Sequence, residues 1–252
     1  MNESSAIVRL AILLVRPGVV MAFVPGLGGS YVPSRAKVAL TVLVAIGLLP
    51  VVTVPPSPSA LVLTGMIARE AAIGLALAAA MQALVSGVEL AGHLSGYQIG
   101  YSYAATIDPM TGARNNTVTA LFGLVAVLTL LSLNGHHAVL RALAASYEGL
   151  PIGAGAVGAT LASRVQDLLG MVFTVGTRLA APIVVVMLVV EVAVGLIART
   201  APSLGFMVVG YPIRLALGLF VLATMVSAIP GVVGQMLDTA TRLSVDTARA
   251  FR

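Results

Sequence analysis

The run over 180–197 is apolar throughout except for Glu191. A helix over that run reaches about 27 Å at roughly 1.5 Å per residue, close to the hydrocarbon core of a bilayer at about 30 Å. Similar runs recur along the chain. Of its 252 residues 59% are hydrophobic and 9% charged, whereas an ordinary globular domain carries about 25% charged residues. Mean hydropathy is +1.05. These features define an integral membrane protein built from helices. Strands of outer-membrane barrels alternate apolar and polar residues, and these runs do not.

The formal net charge of +5 rests on few charges. The arginines stand mostly at the ends of apolar segments, with no aromatic platform beside them, so nucleic acid is excluded as a partner. Their simpler role is to set topology and anchor segments at the membrane surface. The chain has no cysteine, which excludes disulfides, thiolate metal sites and cysteine catalysis. Asn2 and Glu3 stand where a secretory signal would be basic, and Arg9 and Arg16 interrupt the following apolar stretch. That stretch reads as part of the mature protein.

Hydropathy and breaker residues predict about six hydrophobic segments. They cover 10–31, 38–54, 61–90, 118–133, 168–197 and 205–229. A short amphipathic helix is expected over 138–147 and an amphipathic tail over 235–252. Pro17 is expected to kink the first segment. The third segment is crowded with small residues (Ala71, Ala72, Gly74, Ala76, Ala78, Ala79, Ala80), which suits close helix packing. Both termini then lie on one side with Arg9, Arg69, Arg141, Arg164, Arg242, Arg249 and Arg252. Arg35, Lys37, Arg114 and Arg199 lie on the other, a bias that favours cytoplasmic termini.

Charges inside apolar segments are costly and face protein or water. The set is Arg16, Glu70, Glu89, Arg178, Glu191 and Arg214. The expected roles are pairing with one another, capping helix ends or meeting other subunits. Glu191 lies well inside the fifth segment with no neighbouring cation expected, which leaves a proton relay as a sharper alternative, and with Arg178 a carrier site. His136 and His137 are adjacent and point about 100° apart on a helix; with His93 on the far side of the fourth segment they fit helix-end or interfacial roles better than a metal. HExxH, GxSxG and GxxxxGK[ST] are absent, so an enzyme is not expected, nor a cofactor.

The longest polar, glycine-rich interruption is GHLSGYQIGYSYAATIDPMTGARNN over 92–116. In a membrane protein such backbone belongs in the aqueous flanks, inside protein, or along a water-filled cavity. Gly96, Gly100 and Gly112 permit turns and close approach. Asp108 and Pro109, with Gly112 following, carry a turn signature.

Several blocks resemble the FliR family of flagellar biosynthesis proteins, which has counterparts in injectisomes. They are VPSRAKVAL over 32–40; ELAG over 89–92 with GYQIGYSYA over 96–104 and IDP over 107–109; NGH over 134–136 with LPIG over 150–153; and GLIARTAP over 195–202 with VGYP over 209–212. Ile99, Tyr101 and Tyr103 depart from the family's usual Met and Leu or Phe, and Glu191 replaces a more common neutral amide. The resemblance implies a single-domain, non-enzymatic subunit of a protein export gate in the bacterial inner membrane, at the flagellar basal body. It would assemble with FliP and FliQ, with FlhB outside and FlhA supplying the energised cytoplasmic part, and would pass unfolded proteins. Its implied fold is a FliP-like plus FliQ-like fusion of broken helical hairpins. The central stretch would then be a plug that helps close the pore, comprising Gly96, Tyr97, Gln98, Gly100, Tyr101, Tyr103, Asp108, Pro109 and Gly112.

Overall fold

The computed structural model describes residues 3–28, 32–50, 52, 60–100, 117–153, 158, 160–200 and 206–251. Every regular element among them is a helix. They are α1 (Glu3–Phe23), α2 (Ser34–Leu48), α3 (Ala60–Ile99), α4 (Thr117–Ser132), α5 (Gly135–Gly149), α6 (Leu161–Thr200) and α7 (Phe206–Arg249). Three stretches are long and apolar enough to cross a membrane: Leu61–Ile99, Leu161–Thr200 and Gly210–Arg249. The broken pair α4 and α5 adds a fourth if it counts as one span.

The expected segments are redistributed in three places. The first two end early: α1 starts at Glu3, runs through Pro17 and stops at Phe23, and α2 has 15 residues, about 22 Å and short of a bilayer core. The third lengthens, because α3 continues past Leu90 to Ile99. Residues 92–99 of the glycine-rich stretch are therefore helix. Gly92 is not a breaker there but a contact point: a Cβ on it would lie 2.8 Å from Thr119 Cα in α4. The sixth segment and the tail fuse into α7, which passes through Pro212 and Pro230. A proline inside a helix costs about 3 kcal/mol. Here Ile229, Val233, Ala240 and Ser244 form a buried line along one side of α7 that continues across Pro230, and that packing holds the helix together.

The chain divides into two compact units. The first is Met1–Leu84, Leu130–Gly170 and Gln235–Arg252; the second is Val85–Thr129 and Met171–Gly234. Each is built on its own part of α3. In the first unit α1 packs on α3 at Gly74, where a Cβ would meet Arg16 O at 2.9 Å and Val19 Cβ at 3.0 Å. The end of α7 reaches the same helix: Ser244 Oγ donates to Leu77 O at 2.6 Å. Ile12, Leu13, Leu77, Met81 and Leu143 fill this core.

In the second unit α3 meets α6 where a Cβ on Gly87 would lie 2.7 Å from Val175 Cβ, and one on Gly176 would lie 2.7 Å from Leu90 Cδ2. A Cβ on Gly218 of α7 would lie 2.6 Å from Ile99 Cγ1. Glycine lets the backbones approach closely, which is how helices associate where apolar surface alone gives no preference for protein over lipid. Within its apolar window α3 is 67% buried, against 28% for α6 and 33% for α7. α3 is the most covered of the three. α6 buries one stripe (Met171, Val175, Leu179, Ile183, Met187, Val190, Val194) and leaves apolar residues uncovered on its other sides.

Candidate functional site

The most enclosed polar cluster lies in the first unit and gathers around Arg16. Arg16 and Glu70 are both completely buried. Arg16 Nε donates to Glu70 Oε2 at 2.8 Å and Nη2 to Glu70 Oε1 at 3.2 Å. This two-pronged geometry is the strongest arrangement available to an arginine and a carboxylate. The remaining donors are used as well: Nη1 donates to Ser146 Oγ at 2.8 Å, and Nη2 to the Leu150 carbonyl at 3.1 Å. Ser146 Oγ in turn donates to the Leu143 carbonyl at 2.6 Å. Glu70 Oε1 also accepts from the Gly153 backbone N–H at 3.3 Å. The Tyr147 ring lies 4.1 Å from the guanidinium carbon, a cation–π contact.

Each element supplies its part for a local reason. Arg16 lies deep in α1, and its carbonyl faces the gap left by Gly74 on α3, one turn from Glu70. α5 ends at Gly149, with Leu150 as its C-cap. The last carbonyls of a helix have no partner within it and carry partial negative charge. Arg16 therefore does both things expected of such charges: it pairs with a carboxylate and caps a helix end. Burying two charges is compensated only when every remaining donor and acceptor finds good geometry, and here the pair ties α1, α3 and α5 into one body.

The second unit holds the other pair. Arg214 Nη2 lies 3.1 Å from Glu191 Oε1, with the side chains 27% and 46% exposed. The expectation that Glu191 has no neighbouring cation is corrected here. Its cation comes from α7, not from α6, because Arg214 lies beside it across the helix pair. Arg178 does not join it: thirteen positions along one helix is about 20 Å, and Arg178 is exposed with no ion pair among the described residues. Glu89 lies against α4, where a Cβ on Gly123 would fall 2.9 Å from its Oε1.

Of the central stretch, Gly96 is buried in α3, Tyr97 is 73% exposed, and Gln98 is half-buried. Gly100 ends the helix with φ +94°, a left-handed conformation that glycine adopts without strain. Tyr101, Tyr103, Asp108, Pro109 and Gly112 lie outside the described residues. His136 and His137 lie side by side at the start of α5 with ring centroids 4.2 Å apart and planes tilted by 42°, and no group of metal ligands occurs among the described residues. Over 153–158, GAGAVG has the glycine spacing of a dinucleotide-binding turn. It follows helix α5 rather than a strand, so the pattern lacks its context.

Sequence reasoning singled out Arg16 and Glu70 without joining them, and missed Ser146, Tyr147, Leu150 and Gly153. Ser146 and Tyr147 carried a weak signal, as polar residues on an amphipathic helix. Leu150 and Gly153 act through backbone groups, which no side-chain pattern reveals.

Long apolar helices joined by close glycine contacts define an all-helical membrane protein. Residues 7–240 match the family described as bacterial export proteins, family 1, and the chain belongs to that family. It is similar to the flagellar biosynthetic protein FliR of Pectobacterium carotovorum subsp. carotovorum, with 30% identity over 198 residues that cover 78% of this chain and 76% of the relative. The FliR of Caulobacter vibrioides is 28% identical over 222 residues, 87% and 88% of the two chains. That of Escherichia coli K12 is 27% identical over 217 residues, 86% and 83%. The resemblance carried by the motif blocks is borne out.

Proposed function

We propose that this chain is a non-enzymatic subunit of the flagellar type III protein export gate in the bacterial inner membrane. It assembles with FliP and FliQ around a pore for unfolded flagellar proteins, beside FlhB and FlhA. The observation that carries this reading is the family match over 7–240, together with relatives of nearly equal length whose names are flagellar. The fold is read as a FliP-like piece fused to a FliQ-like piece. The division into two units, and helices too short to span, support that reading over a simple bundle in lipid. The central stretch, from Gly96 to Gly112, is read as the plug. Small side chains and flexible backbone can pack tightly and move aside at modest cost.

Native mass spectrometry of the gently solubilised protein tests the assembly. The expected result is one copy of this chain with several copies of other membrane proteins in a fixed, unequal ratio. A stable homodimer that transports a small solute sinks the reading. For the plug, deleting a few residues between Gly100 and Asn115 should leave assembly intact and make the membrane leaky to small ions. Unchanged ion permeability in an assembled gate argues against a seal.

A further inference from the structure

The second unit leaves two chemically different surfaces uncovered. On α6 and α7 the uncovered side chains are mostly apolar, among them Val185, Leu188, Val189 and Phe220 at 60–70% exposure. On α3 four polar side chains share one strip, flanked by exposed Leu94 and half-covered Leu90. Ser86 and Glu89 are half-covered, and His93 and Tyr97 are exposed. At about 100° per residue these four fall within roughly 80° of arc, and they extend about 17 Å along the helix before Gly100 ends it. The opposite side of the same stretch is closed by protein, since Val85, Val88, Ala91, Ser95 and Ile99 are buried. None of the four makes a side-chain hydrogen bond among the described residues.

A polar stripe on an apolar helix is poorly matched to lipid, where its groups have no partners. The neighbouring helices already supply the surface that lipid fits. We infer that the Ser86–Glu89–His93–Tyr97 face of α3 lines the water-filled path along which the exported polypeptide passes in extended form. The inference rests on the reading of the chain as an export-gate subunit. Two hydroxyls, an imidazole and one carboxylate exchange hydrogen bonds with water and with a passing backbone amide. The stripe offers no apolar pocket to hold a side chain and no dense charge to trap one, so a chain of any sequence can slide over it. The stripe runs into the segment read as the plug, since Tyr97 belongs to both.

The test uses the absence of native cysteine. Ser86→Cys, His93→Cys and Tyr97→Cys each place one thiol in this subunit, within the complete gate in its membrane. Leu188→Cys on the apolar face and buried Val88→Cys serve as controls. The probe is a membrane-impermeant sulfonated maleimide, read on this subunit alone. The thiolate reacts only where water reaches it, so the stripe thiols should label roughly tenfold faster than both controls. Labelling should fall severalfold when a substrate fused to a tightly folded domain is stalled in the gate. Stripe thiols as slow as Leu188→Cys overturn the inference, as does labelling that a stalled substrate leaves unchanged. So do stripe thiols that cross-link to a helix of another subunit in place of labelling. Co-purification separates the two levels of failure. An assembled, export-competent gate with an unlabelled stripe defeats this inference alone. A chain that purifies without unequal partners defeats the export-subunit reading and this inference with it.

Discussion

Each unit contains an arginine–glutamate pair joining two helices, and the two pairs are unlike in almost every physical respect. Arg16 and Glu70 are completely buried, meet through two hydrogen bonds, and use their remaining capacity on Ser146, Leu150 and Gly153. Glu191 and Arg214 meet through one contact and stay partly exposed. The first pair is a structural element of its unit, since removing either member strands a charge inside the protein. The second keeps access to its surroundings, so losing one member leaves a charge that water or another subunit can still satisfy. The same residue types at similar separation thus carry different energetic weight according to enclosure.

The sharpest way to break this comparison is to neutralise one carboxylate in each unit. Glu70→Gln leaves the buried Arg16 without a counter-ion and should cost about 3–5 kcal/mol. Thermal unfolding of the detergent-solubilised complex reads the loss. Replacing both Arg16 and Glu70 by Met should recover part of it, because no buried charge then remains. Equal stability of Glu70→Gln and the parent would remove the buried pair from its assigned role.

Next in size are changes at the glycine contacts. Gly87→Leu drives a side chain into Val175 and should cost about 1–3 kcal/mol by overpacking. Gly195→Leu, with nothing within 4 Å of its Cβ position, should cost nothing in the same melt. Within the buried cluster, Ser146→Ala removes the acceptor of Arg16 Nη1 and should also cost about 1–3 kcal/mol, below the effect of Glu70→Gln. Glu191→Gln should cost less than about 1 kcal/mol and leave export nearly intact, as measured by flagellar protein in the culture medium. Strong loss of export from an assembled Glu191→Gln gate would instead revive a proton relay. Smallest of all is Tyr147→Phe. The Tyr147 hydroxyl is buried with no hydrogen-bond partner among the described residues, so its removal should leave the melting midpoint within about 0.5 kcal/mol of the parent or slightly above it, with the ring still against Arg16.

Much of the helix pattern was legible because apolar runs and their punctuation are local properties. α4 and α5 begin and end within a few residues of the expected 118–133 and 138–147. The crowd of small residues around Gly74 pointed correctly to a packed helix, now seen as α3. Boundaries failed where packing overrode a local signal. Gly92 and Gly96 read as loop formers, yet they are helical. Gly92 is held there because a larger residue would keep α4 away. Pro230 did not separate the tail from the sixth segment, because the buried line along α7 continues beyond it.

The candidate site was legible as a list of residues and not as a set of partners. Arg16 and Glu70 stand 54 positions apart, and nothing in either neighbourhood points to the other. Glu191 was judged by its own helix, while its cation lies 23 positions on. The LPIG block over 150–153 carried the family resemblance. Its contribution to the ion pair is made by the Leu150 carbonyl and the Gly153 N–H.

By itself the sequence determined that this chain is a helical membrane protein, that its charges inside apolar segments must face protein or water, and that it resembles one family of export proteins. These follow from hydropathy, spacing and motif order, which are written along the chain. Only the tertiary structure decided which charges meet, which are sealed, where α3 ends, and which face of α3 is left polar and uncovered. Those are relations between residues distant in sequence. They are fixed by how closely backbones approach and by whether each buried donor finds an acceptor.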